Sequence, residues 1–349
     1  SPTQQAVVKA KPFVNHHLLM GIGWAKEWNQ KWKAALNIEK ISPEIGTVED
    51  FQFQALKIQP VYIDEIYLTT EITRVSERWK LSLFTLFLIE GDIENGNVVG
   101  LDPNDPIEVS YKTNFEGEPT GKDNPELTTM KWHHGHNNSI VNGIPRIGFM
   151  KGGEKAKWSD VDMADYFLKG AQEYVKKHKN EPFFLLYTMQ QPHVPRTPHP
   201  RFEGKSGLGP RGDVILEADW CIGEFMKTLE EENLLENTLI VFSSDNGPVL
   251  NDGYFDDAVK KNGKHKPTGE LRGGKYSLFE AGTKIPFFTY WKGKIQPSVS
   301  NALISQLDLL SSLSNLVGSD IKVDDSQDLL DVFLGTSQKG REELIVEAT

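Results

Sequence analysis

Two short segments combine residue types that could bind an oxyanion and act on it. In the run SSDNGP, Asp245 and Asn246 offer the hard oxygen ligands that calcium or magnesium takes. In the run QPHVPR, the imidazole of His193 can move protons and the guanidinium of Arg196 can bind an oxyanion with two parallel donors. Read singly, each segment is also compatible with ordinary loop structure, an Asx turn for the first and a proline-stiffened loop for the second.

A third segment places cations around glycines. LRGGKY carries Arg272 and Lys275, and EAGT follows it. Glycine lets the backbone approach a ligand closely, and two cations are what a tetrahedral anion requires. His265 upstream could join such a pocket, and His136 in HHGHN is a further candidate for substrate contact. A glycine-rich surface loop and solvated loop histidines are the alternatives.

Helices and short apolar strands alternate around these segments. Ser159 and Asp162 have the spacing of a capping box, which predicts a helix start. Residues 183–189 and 239–242 read as strands buried on both faces, 285–290 as a third strand and 301–317 as a helix. The apolar positions of the first two helices are Met163, Tyr166, Phe167, Ala171 and Tyr174, and then Ile215, Ala218, Ile222, Phe225 or Met226, and Leu229.

This alternation predicts an α/β fold, a three-layer α/β/α arrangement with a mostly parallel central sheet, clearest over residues 158–300. Ligands bind beyond the carboxyl ends of such strands, where Asp245 and His193 are expected. We assign residues 1–330 to one α/β domain, with weak patterns in 1–95 and a loop-rich, functional excursion over 96–157. Residues 331–349 would begin a smaller C-terminal subdomain, with a strand starting in 342–347.

Composition excludes several classes of protein. The chain has 349 residues, 38% hydrophobic and 25% charged, which is typical of a globular enzyme. A net charge of -11 argues against a nucleic-acid partner and requires a local basic pocket for any anionic substrate. No apolar run is long enough to span a membrane, and no signal peptide is visible. The single cysteine, Cys221, excludes an internal disulfide and lies in a helical stripe, so we expect it to be buried and structural.

Taken together, the three segments resemble the formylglycine-dependent (type I) sulfatases of the alkaline phosphatase superfamily, and most closely the arylsulfatase-like enzymes of glycan-degrading bacteria. In that family a strand ends in a histidine-bearing segment, a later strand ends in SSDNGP, and RGGK with an EAG continuation follows. The resemblance continues through residues 204–209 and 291–294 and covers roughly 96–349. It implies an alkaline phosphatase-like fold, hydrolysis of sulfate esters on a sulfated carbohydrate, and a periplasmic or extracellular location.

The resemblance also implies individual roles. Asp245 and Asn246 match calcium ligands, Lys275 matches the lysine that binds the sulfate oxygens, and His193 matches the histidine that contacts the sulfate and assists the leaving oxygen. A formylglycine, made from a cysteine or serine, supplies the nucleophile in that family. The remaining residues expected to bind substrate are Arg196, Arg272, His136 and His265.

The N-terminal motifs of the family are not intact. Residues 1–8 resemble the continuation of the nucleophile motif, with the nucleophile one residue before Ser1 and Gln4 where arginine belongs. Residues 131–133 superficially match the family's GKWHLG segment but follow the excursion instead of preceding it. Either the protein binds without turnover, or the sequence is an incomplete version of an active enzyme, which the retained site residues favour.

Two other functions compete. A phosphodiesterase or phosphomutase of the same superfamily would need several histidine and aspartate ligands for two transition metals, and the nine histidines do not form such a set. A non-catalytic protein that binds sulfated glycans would bind without releasing sulfate.

Overall fold

The computed structural model describes residues 99–319 and 323–346, together with the backbone of five earlier strands. The chain falls into two compact units. The first unit comprises Ser1–Thr228, Leu250–His265 and Thr349, and the second comprises Leu229–Val249 and Lys266–Ala348. The nucleophile expected before Ser1 and the altered motif around Gln4 lie outside the described residues. The predicted domain division at residue 330 stays a prediction.

The elements are short apart from two long helices. The strands are β1 (Trp32–Asn37), β2 (Thr69–Arg74), β3 (Lys80–Phe84), β4 (Ile93–Glu94), β5 (Asn97–Val98), β6 (Glu108–Ser110), β7 (Ile140–Val141), β8 (Ile144–Pro145), β9 (Phe149–Lys151), β10 (Phe183–Tyr187), β11 (Ile240–Ser243) and β12 (Phe287–Tyr290). The helices are α1 (Met163–His178), α2 (Gly209–Glu231), α3 (Ala258–Lys261), α4 (Glu280–Thr283), α5 (Asp308–Leu316) and α6 (Leu330–Phe333). Short 3-10 turns cover Pro125–Leu127, Glu154–Ala156, Asp160–Asp162 and Leu235–Asn237.

The sheets are mixed. In the first unit the strand order is β1-β2-β3-β10, in which β1 pairs with β2 and β2 with β3 in antiparallel fashion, while β3 and β10 are parallel. In the second unit β11 and β12 are antiparallel, with Ile240 opposite Tyr290. Among the described strands only the β3–β10 pairing is parallel, so the expectation of a mostly parallel sheet is not met there. The α/β class agrees with these elements, and the three-layer arrangement stays a prediction.

Strand β10 forms where the apolar run predicts it but is not buried on both faces. Tyr174 of α1 lies 6.0 Å from Phe183, and Phe225 of α2 lies 5.9 Å from Tyr187, measured between ring centroids. Both helices therefore pack on the same face of the strand. Phe184 and Leu186 point to the other face and are 37% and 39% exposed.

The two long helices bury faces slightly rotated from those predicted. In α1 the buried residues include Ala164 and Leu168, which pack with Cys221 of α2, while Tyr166 is exposed. The predicted capping box does not form, because neither Ser159 nor Asp162 makes a side-chain capping hydrogen bond and a 3-10 turn precedes the helix.

In α2 the buried face carries a carboxylate, which apolar periodicity does not reveal. Glu217 is buried and accepts hydrogen bonds from Gln191 Nε2 (3.0 Å) and the His199 backbone N–H (2.9 Å). The buried face passes through Val214, Glu217 and Cys221, so Ile215 is turned toward solvent. The sequence prediction fails here because it assumes that only apolar residues are buried.

The second unit has its core between β12 and the C-terminal helices. Phe287 packs on Phe333 with ring centroids 5.4 Å apart, and Leu329 and Val332 complete the cluster. Helix α5 starts seven residues later than predicted, because the carbonyl of Leu303 accepts from the Arg341 N–H and not from a helical turn. Residues 342–346 contain no strand, contrary to expectation.

No helix in the part of the chain that the structure describes is long and apolar enough to cross a membrane.

Candidate active site

The SSDNGP and RGGK segments lie against each other in the second unit. SSDNGP follows directly from the end of β11. The N–H of Gly247 donates to the Gly282 carbonyl at 2.9 Å, and the N–H of Lys275 donates to the Pro248 carbonyl at 3.1 Å. The structure thus brings the segments that carry Asp245, Asn246 and Lys275 into one cluster of loops.

Glycine is required where these backbones cross. A Cβ on Gly247 would lie 1.7 Å from the Ala281 carbonyl oxygen, and one on Gly274 would lie 2.5 Å from the Pro248 carbonyl oxygen. A Cβ on Gly282 would lie 2.1 Å from the Ser277 carbonyl oxygen. The glycines of DNG, GGK and EAG therefore allow close backbone packing, which is why the three motifs belong together physically.

We expect Gly247→Ala to destabilise the second unit by about 2–3 kcal/mol, because the added methyl group meets a backbone carbonyl that cannot rotate away. The backbone of Gly247 is not left-handed, so the clash alone decides the effect. Urea unfolding of the variant measures the loss. The matched control is Gly223→Ala in α2, where nothing lies within 4 Å of the added Cβ and a slight gain in stability is expected. Equal stability of the two variants would contradict the observed packing.

The two cations of RGGK have different surroundings. Lys275 is half-buried, with its Nζ 5.3 Å from the ring centroid of Tyr276. Tyr276 has a left-handed backbone, with φ of 72°, which is uncommon for a bulky residue. The guanidinium of Arg272 stacks on the ring of Phe279 at 3.8 Å. Lys275 is therefore the cation that the backbone fixes directly beside SSDNGP, while Arg272 is exposed and stacked on Phe279.

The donor set at the end of β11 fits a hard cation. The Asn246 side-chain N–H donates to the Gly247 carbonyl at 2.9 Å, so the amide oxygen is the atom left for a metal. With the exposed carboxylate of Asp245, this gives two oxygen donors of the roughly six to eight that calcium takes. No group of three or more His, Cys, Asp or Glu side chains suited to a metal occurs among the described residues.

His193 projects from the loop that follows β10 in the first unit. Its ring Nδ1 lies 2.8 Å from the Val194 carbonyl, and because a carbonyl can only accept, Nδ1 is the donor in this hydrogen bond. The residue is exposed, whereas the neighbouring Val194 is buried. An exposed imidazole held by the backbone suits a histidine that contacts a ligand.

Arg196 does not have the exposure expected of a substrate-binding residue. It is 3% exposed, and its Nη1 lies 2.7 Å from Asp256 Oδ2. Its Nε donates to the Pro192 carbonyl at 3.1 Å. Because its guanidinium is bonded to partners within the chain, Arg196 is placed to hold the His193 loop and not to contact a substrate directly.

His136 lies close to His193 in the first unit. Burial lowers the pKa of His136, and His193 lowers it further, while the His134 carbonyl and Asp252 act in the opposite direction. The His136 ring also lies 4.9 Å from the ring of Tyr254, between centroids. At neutral pH the lowered pKa favours an uncharged imidazole. Its Nδ1 lies 3.3 Å from the His134 carbonyl, so Nε2 is the nitrogen that can accept from a hydroxyl group.

His265 is placed apart from these residues. It is exposed on a turn in which its N–H donates to the Asn262 carbonyl at 3.0 Å and its own carbonyl accepts from the Asn262 side chain. No contact within the described chain joins it to the other residues expected to bind substrate, so its predicted role is without structural support.

Cys221 is buried in α2, and burial raises its pKa to about 12. Its thiol is therefore neutral at physiological pH and not poised as a nucleophile. This confirms the expected structural role.

Sequence reasoning missed residues 252–256, which contact both histidine loops. The charge of Asp252 acts to raise the pKa of His136, Tyr254 packs beside the His136 ring, and Asp256 pairs with Arg196. The available signal was the run NDGYFDD, in which aspartates flank two aromatic residues. Period-based reading passes over this run because it belongs to neither a helix nor a strand.

Comparison with known proteins identifies the family. The family model described as Sulfatase matches residues 109–319, more than half of the chain. The chain belongs to the sulfatase family. The chain is also 52% identical over 256 residues to the N-acetylgalactosamine-6-O-sulfatase of Bacteroides thetaiotaomicron, covering 72% of this chain and 50% of that protein. Human arylsulfatase A is 34% identical over 170 residues, 48% of this chain and 32% of the relative.

A solved structure is similar to this chain in its three-dimensional fold as well as in sequence. A Bacteroides thetaiotaomicron protein, described in connection with the metabolism of multiple glycosaminoglycans, matches this sulfatase chain with a TM-score of 0.71 and 52% identity. The match covers 73% of this chain and 54% of that structure. This sulfatase chain thus spans about half the length of the Bacteroides thetaiotaomicron sulfatase and of the solved structure.

Proposed function

We propose that the protein containing this chain hydrolyses a sulfate ester on a sulfated carbohydrate, and that this chain supplies its sulfate-binding residues. The observation that carries the proposal is the packing of SSDNGP on RGGK, which holds two oxygen donors and a lysine in one loop cluster. Membership of the sulfatase family supports the same reaction. We further propose a periplasmic or extracellular location, which cell fractionation of the source organism would check.

For the substrate, we propose a 6-O-sulfated N-acetylgalactosamine unit as the first candidate. The support is the 52% identity to a bacterial N-acetylgalactosamine-6-O-sulfatase. The lowered pKa of His136 adds to this, because a neutral imidazole is suited to hydrogen bonding with sugar hydroxyl groups.

Each residue has a role in this proposal. Asp245 and Asn246 would hold calcium through their side-chain oxygens, and Lys275 would donate to the oxygens of the transferring sulfate. His193 contacts the sulfate and assists the leaving oxygen in this proposal. When bound, calcium would stabilise charge on the sulfate, and a formylglycine would supply the nucleophile. Arg272 belongs to the RGGK loop that carries Lys275, and Arg196 holds the His193 loop through the Pro192 carbonyl.

The test is sulfate release by the complete natural protein. We expect free sulfate, measured by ion chromatography, from 6-O-sulfated N-acetylgalactosamine and much less from the 4-O-sulfated isomer. We expect chelation to abolish release, and added calcium to restore it where zinc does not. Release from aryl sulfates alone would contradict the substrate proposal.

The competing functions predict different results in the same experiment. Two zinc or manganese ions per chain with cleavage of phosphate esters would indicate the phosphodiesterase or phosphomutase alternative. Binding of the sulfated sugar without any release would indicate a non-catalytic glycan-binding protein.

A further inference from the structure

Residues 252–256, which we call the clamp segment, pair with the loop that carries His136. The N–H of His133 donates to the Gly253 carbonyl at 2.6 Å, and the N–H of Phe255 donates to the Lys131 carbonyl at 2.9 Å. A Cβ on Gly253 would lie 2.8 Å from Cε1 of His136, so the imidazole lies directly against this glycine. The clamp segment therefore forms the surface on which the His136 ring lies.

The clamp segment also reaches the loop that carries His193, by two routes. Tyr254 is 2% exposed and packs in one cluster with Val194, the residue that follows His193. Asp256 pairs with Arg196 at 2.7 Å, and Arg196 donates to the carbonyl of Pro192, the residue that precedes His193. Both neighbours of the histidine are thus tied to the same five residues.

The ion pair in this arrangement is suited to positioning. The side chains of Arg196 and Asp256 are 2% and 5% exposed, so neither can contact a substrate without leaving its partner. The second carboxylate oxygen of Asp256 accepts from the Ala258 N–H at 2.9 Å, which ties the pair to the first turn of α3. Separating a buried pair is costly, because it leaves a buried charge uncompensated.

We propose that Asp256 is a positioning residue for His193, acting through Arg196, and that the clamp segment sets the placement of His193 relative to His136. The effect of this positioning on turnover rests on the proposed function of His193. A reacting group displaced by about 1 Å can lose roughly a hundredfold in rate, so loss of the pair matters even though it touches no substrate.

The same unit contains a matched control. Arg146 and Asp160 form a second buried ion pair at 2.6 Å, with side chains 7% and 4% exposed. Asp160 also accepts from the Asn142 side chain at 3.0 Å, and its carbonyl accepts from the Thr197 hydroxyl at 3.4 Å. Asp160→Asn and Asp256→Asn each remove one carboxylate from a buried ion pair, and only Asp256→Asn removes the partner of Arg196.

The experiment uses the complete protein labelled with [13C]histidine. We expect Asp256→Asn and Arg196→Met to shift or broaden the ring signal of His193 in the same way, and to lower kcat about ten- to a hundredfold. Asp160→Asn should destabilise the fold comparably but leave that signal unmoved and kcat within about twofold. In the Arg196→Met background, adding Asp256→Asn should change kcat by no more than about twofold, because the route is already broken.

An unchanged His193 signal in folded Asp256→Asn would overturn the positioning role of Asp256. A shift of that signal in Asp160→Asn as large as the shift in Asp256→Asn would overturn it too. Full additivity of the two changes would show that Asp256 does not act through Arg196. The ring signals are measured without substrate, so they test the positioning role separately from the reaction. If the wild-type protein released no sulfate, that result would count against the proposed function alone. Asp256→Glu, which keeps the charge, should recover part of both readouts.

Discussion

Replacing Lys275 with alanine is expected to lower kcat and kcat/KM together by about a hundred- to a thousandfold, the loss seen when one preorganised donor to a developing anion is removed. The reason is local. The chain carries a net charge of -11, so a sulfate ester depends on the few cations held beside its binding site. The backbone of Lys275 is bonded to the Pro248 carbonyl, which fixes this cation against SSDNGP.

The measurement compares steady-state kinetics of the complete protein with calcium present. Lys284→Ala is the matched control, because Lys284 is an exposed lysine of the same unit whose only described partner is Glu280 at 3.8 Å. We expect this control to keep turnover within about twofold, since exposed ion pairs contribute little. If Lys275→Ala kept near-normal turnover, its role in binding the transferring sulfate would be wrong.

Asp308→Asn is expected to destabilise the second unit by about 3 kcal/mol, because it leaves the half-buried Arg341 without its counterion and removes a fully buried carboxylate from its hydrogen bonds. Asp308 is fully buried and accepts from Arg341 Nε at 2.8 Å and from the N–H groups of Ser305 (2.8 Å) and Gln327 (2.9 Å). Denaturant unfolding measures the loss. Glu270→Gln removes one half of the exposed Lys266–Glu270 pair and should cost at most about 1 kcal/mol. A loss no greater than that of the control would show that the buried pair does not stabilise the unit.

The same carboxylate gives a pH dependence with a definite sign. Burial acts to raise the pKa of Asp308, but hydrogen bonds from Arg341 and from the Gln327 and Ser305 N–H groups outweigh it and lower the pKa. A lowered pKa means that the stabilisation is present above the unfolded pKa of about 3.9 and is lost as pH falls toward the folded value. Asp308→Asn should therefore flatten the acid limb of the stability profile, and an unchanged acid limb would contradict the assignment.

The sequence identified the segments that carry chemistry because their residue types and their positions after apolar runs are local properties. SSDNGP directly follows β11, and the helix and strand predicted from residue 159 to residue 189 appear as α1 and β10. The family followed from the order of the motifs, and the match of residues 109–319 to the sulfatase family model confirms it. The roles of Asp245, Asn246, His193 and Lys275 stay predictions.

Only the tertiary structure decided which polar side chains are exposed and which are buried against partners within the chain. Arg196 reads as a substrate-binding cation in sequence. In the structure it is buried and paired with Asp256, which lies sixty positions away along the chain. Glu217 reads as a solvated helix residue, yet it is buried because Gln191 and His199 donate to it. Apolar periodicity reports which side chains avoid water, and it cannot report a charge whose partner comes from a distant loop. The glycines of DNG, GGK and EAG are visible in the sequence, but the reason for them, two backbones crossing at carbonyl contact, exists only in the folded second unit.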